Sequence, residues 1–258
     1  MDRNLAEKIW NVIFPILQIV QSNLGRPPHS AKKAFFGILY VLENGCKWRC
    51  LPRYFGPKST VHGKYMKWLR AGLIDQALIA ARKIYLGVTN AFPNWGASDT
   101  STSKAPHAKF SGKNPTDRGK RGVKKNIICD SKGAPLFVAI SPANQHDSKT
   151  LLPLLKQARS IQRGVLIILA LDSAYDSKDL RKKASRLGFV LHAATNKRRN
   201  KDCPIVKPKG RWVVEASHSW LNNFRAVKIC YAKNIESYLG FVQLAATARL
   251  LQMAGISG

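Results

Sequence analysis

Acidic residues are scarce in this chain of 258 residues. It has 14 Asp and Glu against 43 Lys and Arg, so its formal net charge is +29 at pH 7. A surface of this sign attracts polyanions at long range, and nucleic acid and an anionic membrane are the two obvious candidates. The composition therefore predicts a phosphate-rich partner, and each of the few acids needs a specific explanation.

Long apolar runs and a paired set of cysteines are also missing. No uninterrupted apolar run approaches the roughly 18 residues that span a bilayer, which favours nucleic acid over a membrane. The five cysteines are scattered and odd in number, so a disulfide framework is not expected and a reduced, cytoplasmic context fits better. Cys46 and Cys50 could supply two zinc ligands, but no second pair follows at ligand spacing.

The first ninety residues show helical spacing of apolar positions. We expect helices over residues 3–23, 31–44 after a Ser30 cap, from Ser59 onward, and 74–86. The helix after Ser59 has an outward face of phosphate and base-edge donors, which includes Lys64, Lys67 and Arg70. This order resembles a helix-turn-helix DNA reader and predicts an all-α DNA-binding domain over residues 1–92. The alternative is an ordinary helical bundle with a solvated basic face.

From residue 94 the apolar period becomes that of strands. In chain order the pattern predicts strands over 95–100, 123–130 and 134–140, a helix over 148–160, a strand over 165–172, a helix over 177–187, a strand over 189–195, and helices over 212–232 and 236–252. The turn Asp130–Gly133 between the second and third strands indicates a hairpin. This alternation predicts a mixed α/β layer fold.

Three carboxylates have no simple structural explanation. The other acids suit helix starts, a hairpin turn or ion pairs in basic loops, which leaves Asp99 and Asp172 on short apolar strands and Glu215 early in a helix. Three converging carboxylates would repel one another without a cation, and oxygen ligands prefer Mg²⁺ or Mn²⁺. Two such ions roughly 3.5–4 Å apart catalyse phosphodiester exchange. Taken singly, each acid could instead be a strand-end cap or a salt-bridge partner.

Four segments of the chain, 45–73, 99–155, 171–189 and 211–231, match a known family in both residues and order. The last begins "RWVVEASHSWLNNFR". Together they resemble the DDE transposases of bacterial insertion sequences, specifically the insertion sequence five group. The resemblance implies a ribonuclease-H-like mixed sheet with flanking helices over residues 93–258. It places the acidic triad and the metal ligands at Asp99, Asp172 and Glu215, and it matches Arg211 to the arginine of the tyrosine–arginine–glutamate–lysine signature.

The chain differs from the family pattern at four positions. Pro208 stands for the signature's tyrosine and Asn222 for its lysine, Ala216 replaces an arginine common in relatives, and Ser173 replaces a basic residue after Asp172. These differences affect DNA handling beside the triad more than metal binding.

The basic clusters predict where DNA is held. They lie in glycine-, proline- and asparagine-rich loops around 104–125 and 197–211, which suit phosphate contacts. The predicted DNA-binding residues are Lys64, Lys67, Arg70, Arg118, Lys120, Arg121, Lys124, Lys125, Lys197, Arg198, Arg199, Arg211 and Arg225.

The resemblance implies a transposase that cleaves at the ends of its insertion sequence and joins the 3′-hydroxyl to target DNA with two Mg²⁺ or Mn²⁺ ions. Its partners would be double-stranded DNA, both the terminal inverted repeats and the target, and a second copy of the chain in a homodimer or larger synaptic complex. No membrane association is expected, and the location would be cytoplasmic, at the nucleoid through DNA.

Three other functions remain open from sequence. The first is a catalytically inactive or domesticated transposase acting as a DNA-binding regulator. The second is a basic RNA- or ribosome-associated protein, although the RNA-recognition aromatic motifs are absent. The third is another ribonuclease-H-like nuclease, which cuts without strand transfer.

Overall fold

The helical and strand-forming segments of the sequence separate into two units. The computed structural model describes residues 3–17, 29–89, 94–161, 166–196 and 209–256. The first unit comprises Met1–Ala91, His107–Lys109 and Leu221–Gly258, and the second comprises Phe92–Pro106 and Phe110–Trp220. The expected division between residues 92 and 93 lies close to the first junction. The segment from Leu221 onward, however, belongs to the helical unit and not to the sheet unit in which the 93–258 boundary had placed it.

The elements follow the predicted order, with small differences at their ends and an additional short strand, β2. Residues 18–23 of the first predicted helix lie outside the described part of the chain. The helices are α1 (Arg3–Leu17), α2 (Ala31–Asn44), α3 (Lys58–Arg70), α4 (Leu73–Thr89), α5 (Asp147–Ile161), α6 (Lys178–Arg186), α7 (Trp212–Leu221), α8 (Arg225–Lys228) and α9 (Ile235–Leu251). The strands are β1 (Trp95–Lys104), β2 (Gly112–Lys113), β3 (Arg121–Asp130), β4 (Pro135–Pro142), β5 (Ile167–Leu171) and β6 (Phe189–Ala193). None of these helices is long and apolar enough to cross a membrane.

The helix α9 forms the centre of the first unit. It is apolar on all faces and buried along almost its whole length, as expected of a helix surrounded by others. The buried Tyr65 of α3 donates a hydrogen bond to the carbonyl of Ser237 at 2.6 Å. The Tyr65 ring also stacks on Phe241 with centroids 4.9 Å apart. The C-terminal helix therefore fixes the inner face of α3, the helix predicted to bind DNA.

Two predicted helix boundaries are wrong. α3 begins at Lys58, directly after the extended Pro57, so Ser59 lies inside the first turn and does not cap it. The helix predicted over 212–232 is interrupted: α7 ends at Leu221 and α8 begins at Arg225. Two consecutive asparagines, 222 and 223, occupy the gap, and asparagine side chains compete with helical backbone bonds. The predicted outward stripe that runs from Glu215 through Arg225 is therefore not continuous.

The sheet of the second unit is mixed, as predicted. β1 pairs with β3 and β3 with β4, both antiparallel, and β2 pairs with the start of β3. On its other side β1 pairs in parallel with β5, and β5 pairs in parallel with β6. The predicted β3–β4 hairpin is present, with Gly133 at φ +78° and Asp130 accepting bonds from the backbone N–H groups of Lys132 and Ala134 at 2.9 Å.

Candidate active site

The pairing of β1 with β5 brings Asp99 next to Asp172. In this parallel ladder each β5 residue faces the β1 residue 73 positions earlier, from Trp95–Ile168 to Ala97–Ala170. The same offset continued by two residues places Asp172 opposite Asp99, and adjacent strands lie about 4.8 Å apart. β5 ends at Leu171, so Asp172 stands at the carboxyl end of the strand. Asp99 lies in the middle of β1 and Asp172 directly after β5, so the register of the two strands makes these acids neighbours.

Asp99 is a partly buried carboxylate with two kinds of partner. Its Oδ1 accepts the backbone N–H of Thr100 at 2.8 Å, and its Oδ2 lies 3.4 Å from Nη1 of Arg211. Burial raises the pKa of Asp99, the Thr100 N–H and Arg211 lower it by less, and the charges of Asp172 and Asp147 raise it further. A cation placed beside Asp99 would reverse this trend, because it favours the ionised carboxylate.

Asp172 is held by the turn that follows it. Its Oδ1 accepts the backbone N–H of Ser173 at 2.7 Å and caps the 3-10 turn Ser173–Tyr175. This bond orients the carboxylate relative to the strand. It uses only part of the acceptor capacity of the two oxygens.

Glu215 is linked to Asp99 by Arg211, which contacts both carboxylates. Glu215 lies in the first turn of α7 and its Oε1 is 2.8 Å from Nη2 of Arg211. The same guanidinium contacts Asp99 through Nη1. One arginine therefore joins the helix carboxylate to the strand carboxylate. Asp99 is thus related to Asp172 by strand register and to Glu215 through the shared contact with Arg211.

His218 is a buried neighbour of the triad to which the sequence assigned no role, although it shares the helical face of Glu215. Its Nε2 lies 3.4 Å from the carbonyl oxygen of Asp99, which can only accept, so Nε2 donates. Its Nδ1 is buried without a hydrogen-bond partner. Burial, followed by the charge of Lys125, lowers the pKa of His218 to about 4, against a weaker opposing effect of the Asp99 carbonyl. His218 is thus a neutral side chain that ties α7 to β1.

A buried polar network lies beside Asp99 and was not predicted. The hydroxyls of Thr100 and Thr150 both donate to Oδ1 of Asn126 at 2.8 Å. The Asn126 Nδ2 donates to Ser141 Oγ at 3.1 Å, and the Tyr175 hydroxyl lies 3.0 Å from Thr100 Oγ1. Asn126, at the junction between the two lysines of β3 and its apolar end, was the sequence signal for it. The network connects β1, β3, β4, α5 and the turn after Asp172.

The donor set of the site suits a hard cation. Among the residues that the structure describes, no group of three or more His, Cys, Asp or Glu lies close enough to hold a metal ion. Asp99 and Asp172 nevertheless present oxygen atoms on adjacent strands, and Glu215 would contribute its own on exchanging Arg211 for the ion. Carboxylate oxygens without His or Cys are what Mg²⁺ and Mn²⁺ prefer. The residues present therefore fit such an ion.

The predicted DNA-binding residues differ in accessibility. Those with exposed side chains are Lys67, Arg70, Arg118, Lys120, Arg121 and Arg225, while Lys64 is half-buried. Lys124 is paired with Asp147 at 2.7 Å, and Arg211 contacts carboxylates. Lys125 is only 1% exposed and donates to Ser103 Oγ at 2.6 Å, so the structure argues against its predicted DNA contact. Lys197, Arg198 and Arg199, and the position of Pro208, lie outside the described residues.

The family described as "Transposase DDE domain" matches residues 91–251, more than half of the chain. The chain belongs to the transposase DDE domain family. A second family, described as "Putative transposase of IS4/5 family", matches residues 5–78. The predicted family resemblance is therefore confirmed in both parts of this DDE-family chain.

Individual proteins agree with the DDE family assignment. The "Putative transposase for insertion sequence element IS402" of Burkholderia cepacia is 33% identical over 139 residues, which cover 52% of this chain and 64% of that protein. The "Insertion element IS402 uncharacterized 16.2 kDa protein" of the same organism is 36% identical over 78 residues, covering 28% of this chain and 53% of that protein. The chain thus spans less than two thirds of the length of each of these relatives.

A solved structure agrees with the fold. The piggyBac transposase, in a synaptic complex with hairpin DNA, superposes with a TM-score of 0.51 at 12% identity and covers 100% of this chain and 73% of that one. At this identity the likeness concerns the fold alone. Together with the mixed sheet order it confirms the ribonuclease-H-like fold predicted for the DDE domain.

Proposed function

We propose that this chain is a DNA transposase that cleaves at the ends of its insertion sequence and joins the freed 3′-hydroxyl to target DNA. The observation that carries the proposal is the parallel register of β1 against β5, which supports Asp99 and Asp172 as neighbouring ligands when it is continued by two residues. Glu215, linked to Asp99 through Arg211, completes an acidic triad in a strongly cationic chain. Membership of the DDE family supports this reading.

The triad would hold Mg²⁺ or Mn²⁺. Two such ions, when bound, supply activation of a hydroxyl nucleophile and stabilisation of the leaving oxygen in phosphodiester transfer.

The chain's own contribution is to position the acids. Asp99 and Asp172 are fixed by neighbouring strands, and each carboxylate is oriented by the backbone N–H of the next residue. The buried network around Asn126 holds the surrounding elements in place. Asp99 and Asp172 would therefore need little reorganisation at the reacting phosphate, whereas Glu215 would have to exchange Arg211 for the ion.

Double-stranded DNA would be the substrate and partner. The net charge of +29 attracts phosphates, and the exposed Lys67, Arg70, Arg118, Lys120 and Arg121 are available to contact them. Two element ends must be brought together for transposition, so a homodimer or larger synaptic assembly belongs to the proposal.

The proposal is tested by DNA cleavage with the full chain, Mg²⁺ and DNA that carries the ends of its own element. Asp99→Asn, Asp172→Asn and Glu215→Gln should each lower cleavage by about 100-fold or more, since each removes an ionised metal ligand, while DNA binding is retained. Asp179→Asn is the matched control, because Asp179 is an exposed acid of the same unit that pairs with Lys183. Triad variants that cleave as fast as the parent protein would contradict the proposed site.

A second candidate function is a DNA-binding regulator without catalysis. The differences from the family pattern at Ser173, Ala216 and Asn222 favour it. It is distinguished by the same assay, because a parent protein that binds the element ends and leaves them uncut is the outcome expected of a regulator.

A further inference from the structure

One guanidinium contacts two acids of the triad at once. Arg211 Nη1 lies 3.4 Å from Asp99 Oδ2, and Nη2 lies 2.8 Å from Glu215 Oε1. The Arg211 side chain is 32% exposed, so solvent and ligands can reach it. A planar group with two separate N–H forks is suited to hold two carboxylates that would otherwise repel each other.

We propose that Arg211 is a resident counter-cation of the acidic site, which holds Asp99 and Glu215 together and competes with divalent cations for their oxygens. This inference rests on the proposed function, since it takes these acids as the metal ligands. It assigns Arg211 a role toward the carboxylates in addition to the DNA contact predicted for it.

The competition follows from the geometry of the contacts. Mg²⁺ binds carboxylate oxygens at about 2.0–2.1 Å and demands a near-ideal octahedral arrangement. An ion bound at Asp99 Oδ2 or Glu215 Oε1 would lie next to the guanidinium, and repulsion between the two positive charges makes them compete for these oxygens. Part of the metal's binding energy is spent on breaking the two existing contacts, which lowers the apparent affinity.

The displaced guanidinium has a second partner available in the substrate. Arginine binds phosphate with the same two-pronged geometry that it uses for carboxylate. A DNA phosphate that takes up Arg211 would free both acids, so DNA should tighten metal binding and, by reciprocity, the metal should tighten DNA binding. Arg211 would thereby keep the site neutralised until DNA and metal arrive together.

The test is direct measurement of Mn²⁺ binding to the full chain by electron paramagnetic resonance of the free ion, without any turnover. Arg211→Gln should bind Mn²⁺ roughly 2- to 30-fold more tightly than the parent, which is the range expected for losing two partly exposed ion pairs. Arg186→Gln is the matched control, since it removes the same charge from an exposed position on α6 and should leave the Mn²⁺ affinity unchanged. A short DNA duplex should tighten Mn²⁺ binding more for the parent than for Arg211→Gln.

The outcomes separate this inference from the proposed function. Equal or weaker Mn²⁺ binding by Arg211→Gln, with parental binding abolished by Asp172→Asn, would overturn the inference alone. Absence of Mn²⁺ binding in both the parent and Arg211→Gln would overturn the inference and the metal-dependent function together. If Arg211→Gln melts below the assay temperature, Arg211→Lys decides. A lysine ammonium is a compact charge without the rigid fork that reaches Asp99 and Glu215 through separate nitrogens, so the Mn²⁺ affinity of this variant should exceed the parent's. An unchanged affinity overturns the inference.

Discussion

At the scale of single residues, burial favours the neutral form of both Asp99 and His218. It raises the pKa of the Asp99 carboxyl and lowers that of the His218 imidazole, so each neutral form is favoured. The consequences for catalysis differ. A nearby cation stabilises the ionised form of Asp99, whereas His218 fulfils its contact to the Asp99 carbonyl as a neutral donor.

The pH dependence of folding stability should contain a signal from His218. Its pKa in the folded chain is about 4, below the ordinary value near 6.5, so both states are neutral above pH 6.5. As the pH falls from 6.5 toward 4 the unfolded chain takes up a proton that the folded chain does not, and the free energy of unfolding falls by up to about 3 kcal/mol. Urea unfolding at pH 7 and pH 4.5 measures this loss.

The variant His218→Gln isolates that signal. Glutamine can keep the donor to Asp99 but does not titrate, so the variant should lose less stability than the parent between the two pH values. His192→Gln is the matched control, because His192 is an exposed histidine of the same unit. An identical pH dependence in the parent and His218→Gln would show that the imidazole is not held neutral.

At the scale of elements, the site depends on polar contacts between strands and helices that lie around the carboxylates. Asn126 is 3% exposed and accepts hydrogen bonds from threonines on β1 and α5 while donating to β4. Buried polar groups are costly when any partner is missing. The network therefore favours one arrangement of β1, the strand that carries Asp99.

Asn126→Ala should destabilise the chain by about 2–3 kcal/mol, because it removes a buried amide that accepts from the hydroxyls of Thr100 and Thr150 and donates to Ser141. The midpoint of chemical denaturation measures the loss. Ser141→Ala, which removes only one partner of the Asn126 amide, should cost roughly 1 kcal/mol. A cost for Asn126→Ala no greater than that for Ser141→Ala would mean that the network contributes little.

At the scale of the whole molecule, charge dominates. The 43 basic residues outnumber the 14 acidic ones, and they occur in both units. A few of these cations are buried, such as Lys125, which donates a hydrogen bond to Ser103. The exposed remainder provides a field that attracts polyanions, such as the proposed DNA substrate, regardless of nucleotide sequence. Binding by such a field releases counterions and is weakened by salt.

DNA affinity should therefore fall by about 10³-fold between 50 and 200 mM salt if roughly six phosphates are neutralised. Fluorescence anisotropy with a labelled duplex measures the slope. The triple change of Arg118, Lys120 and Arg121 to Gln should reduce the slope by about 2–3, whereas the same change at Lys178, Lys182 and Arg186 of α6 removes equal charge away from the predicted loop and should reduce it less. A salt-independent affinity would contradict electrostatic binding.

The sequence predicted the elements and the acidic candidates better than the contacts among them. Local periodicity was enough to place β5 and α5 within a few residues, and scarcity of acids was enough to single out Asp99, Asp172 and Glu215. Periodicity could not show that α7 stops at Leu221, because the apolar spacing continues across the two asparagines. It also could not separate buried from exposed basic residues within β3.

The sequence by itself determined the charge, the alternation of helices and strands, and the family, since these depend on residue types and on spacing along the chain. Tertiary structure alone decided that β1 pairs in parallel with β5, the strand that precedes Asp172, that Lys125 is buried, and that the C-terminal helix α9 belongs to the first unit. The physical reason is that strand register and burial are set by contacts between residues far apart in the chain, which no local pattern records.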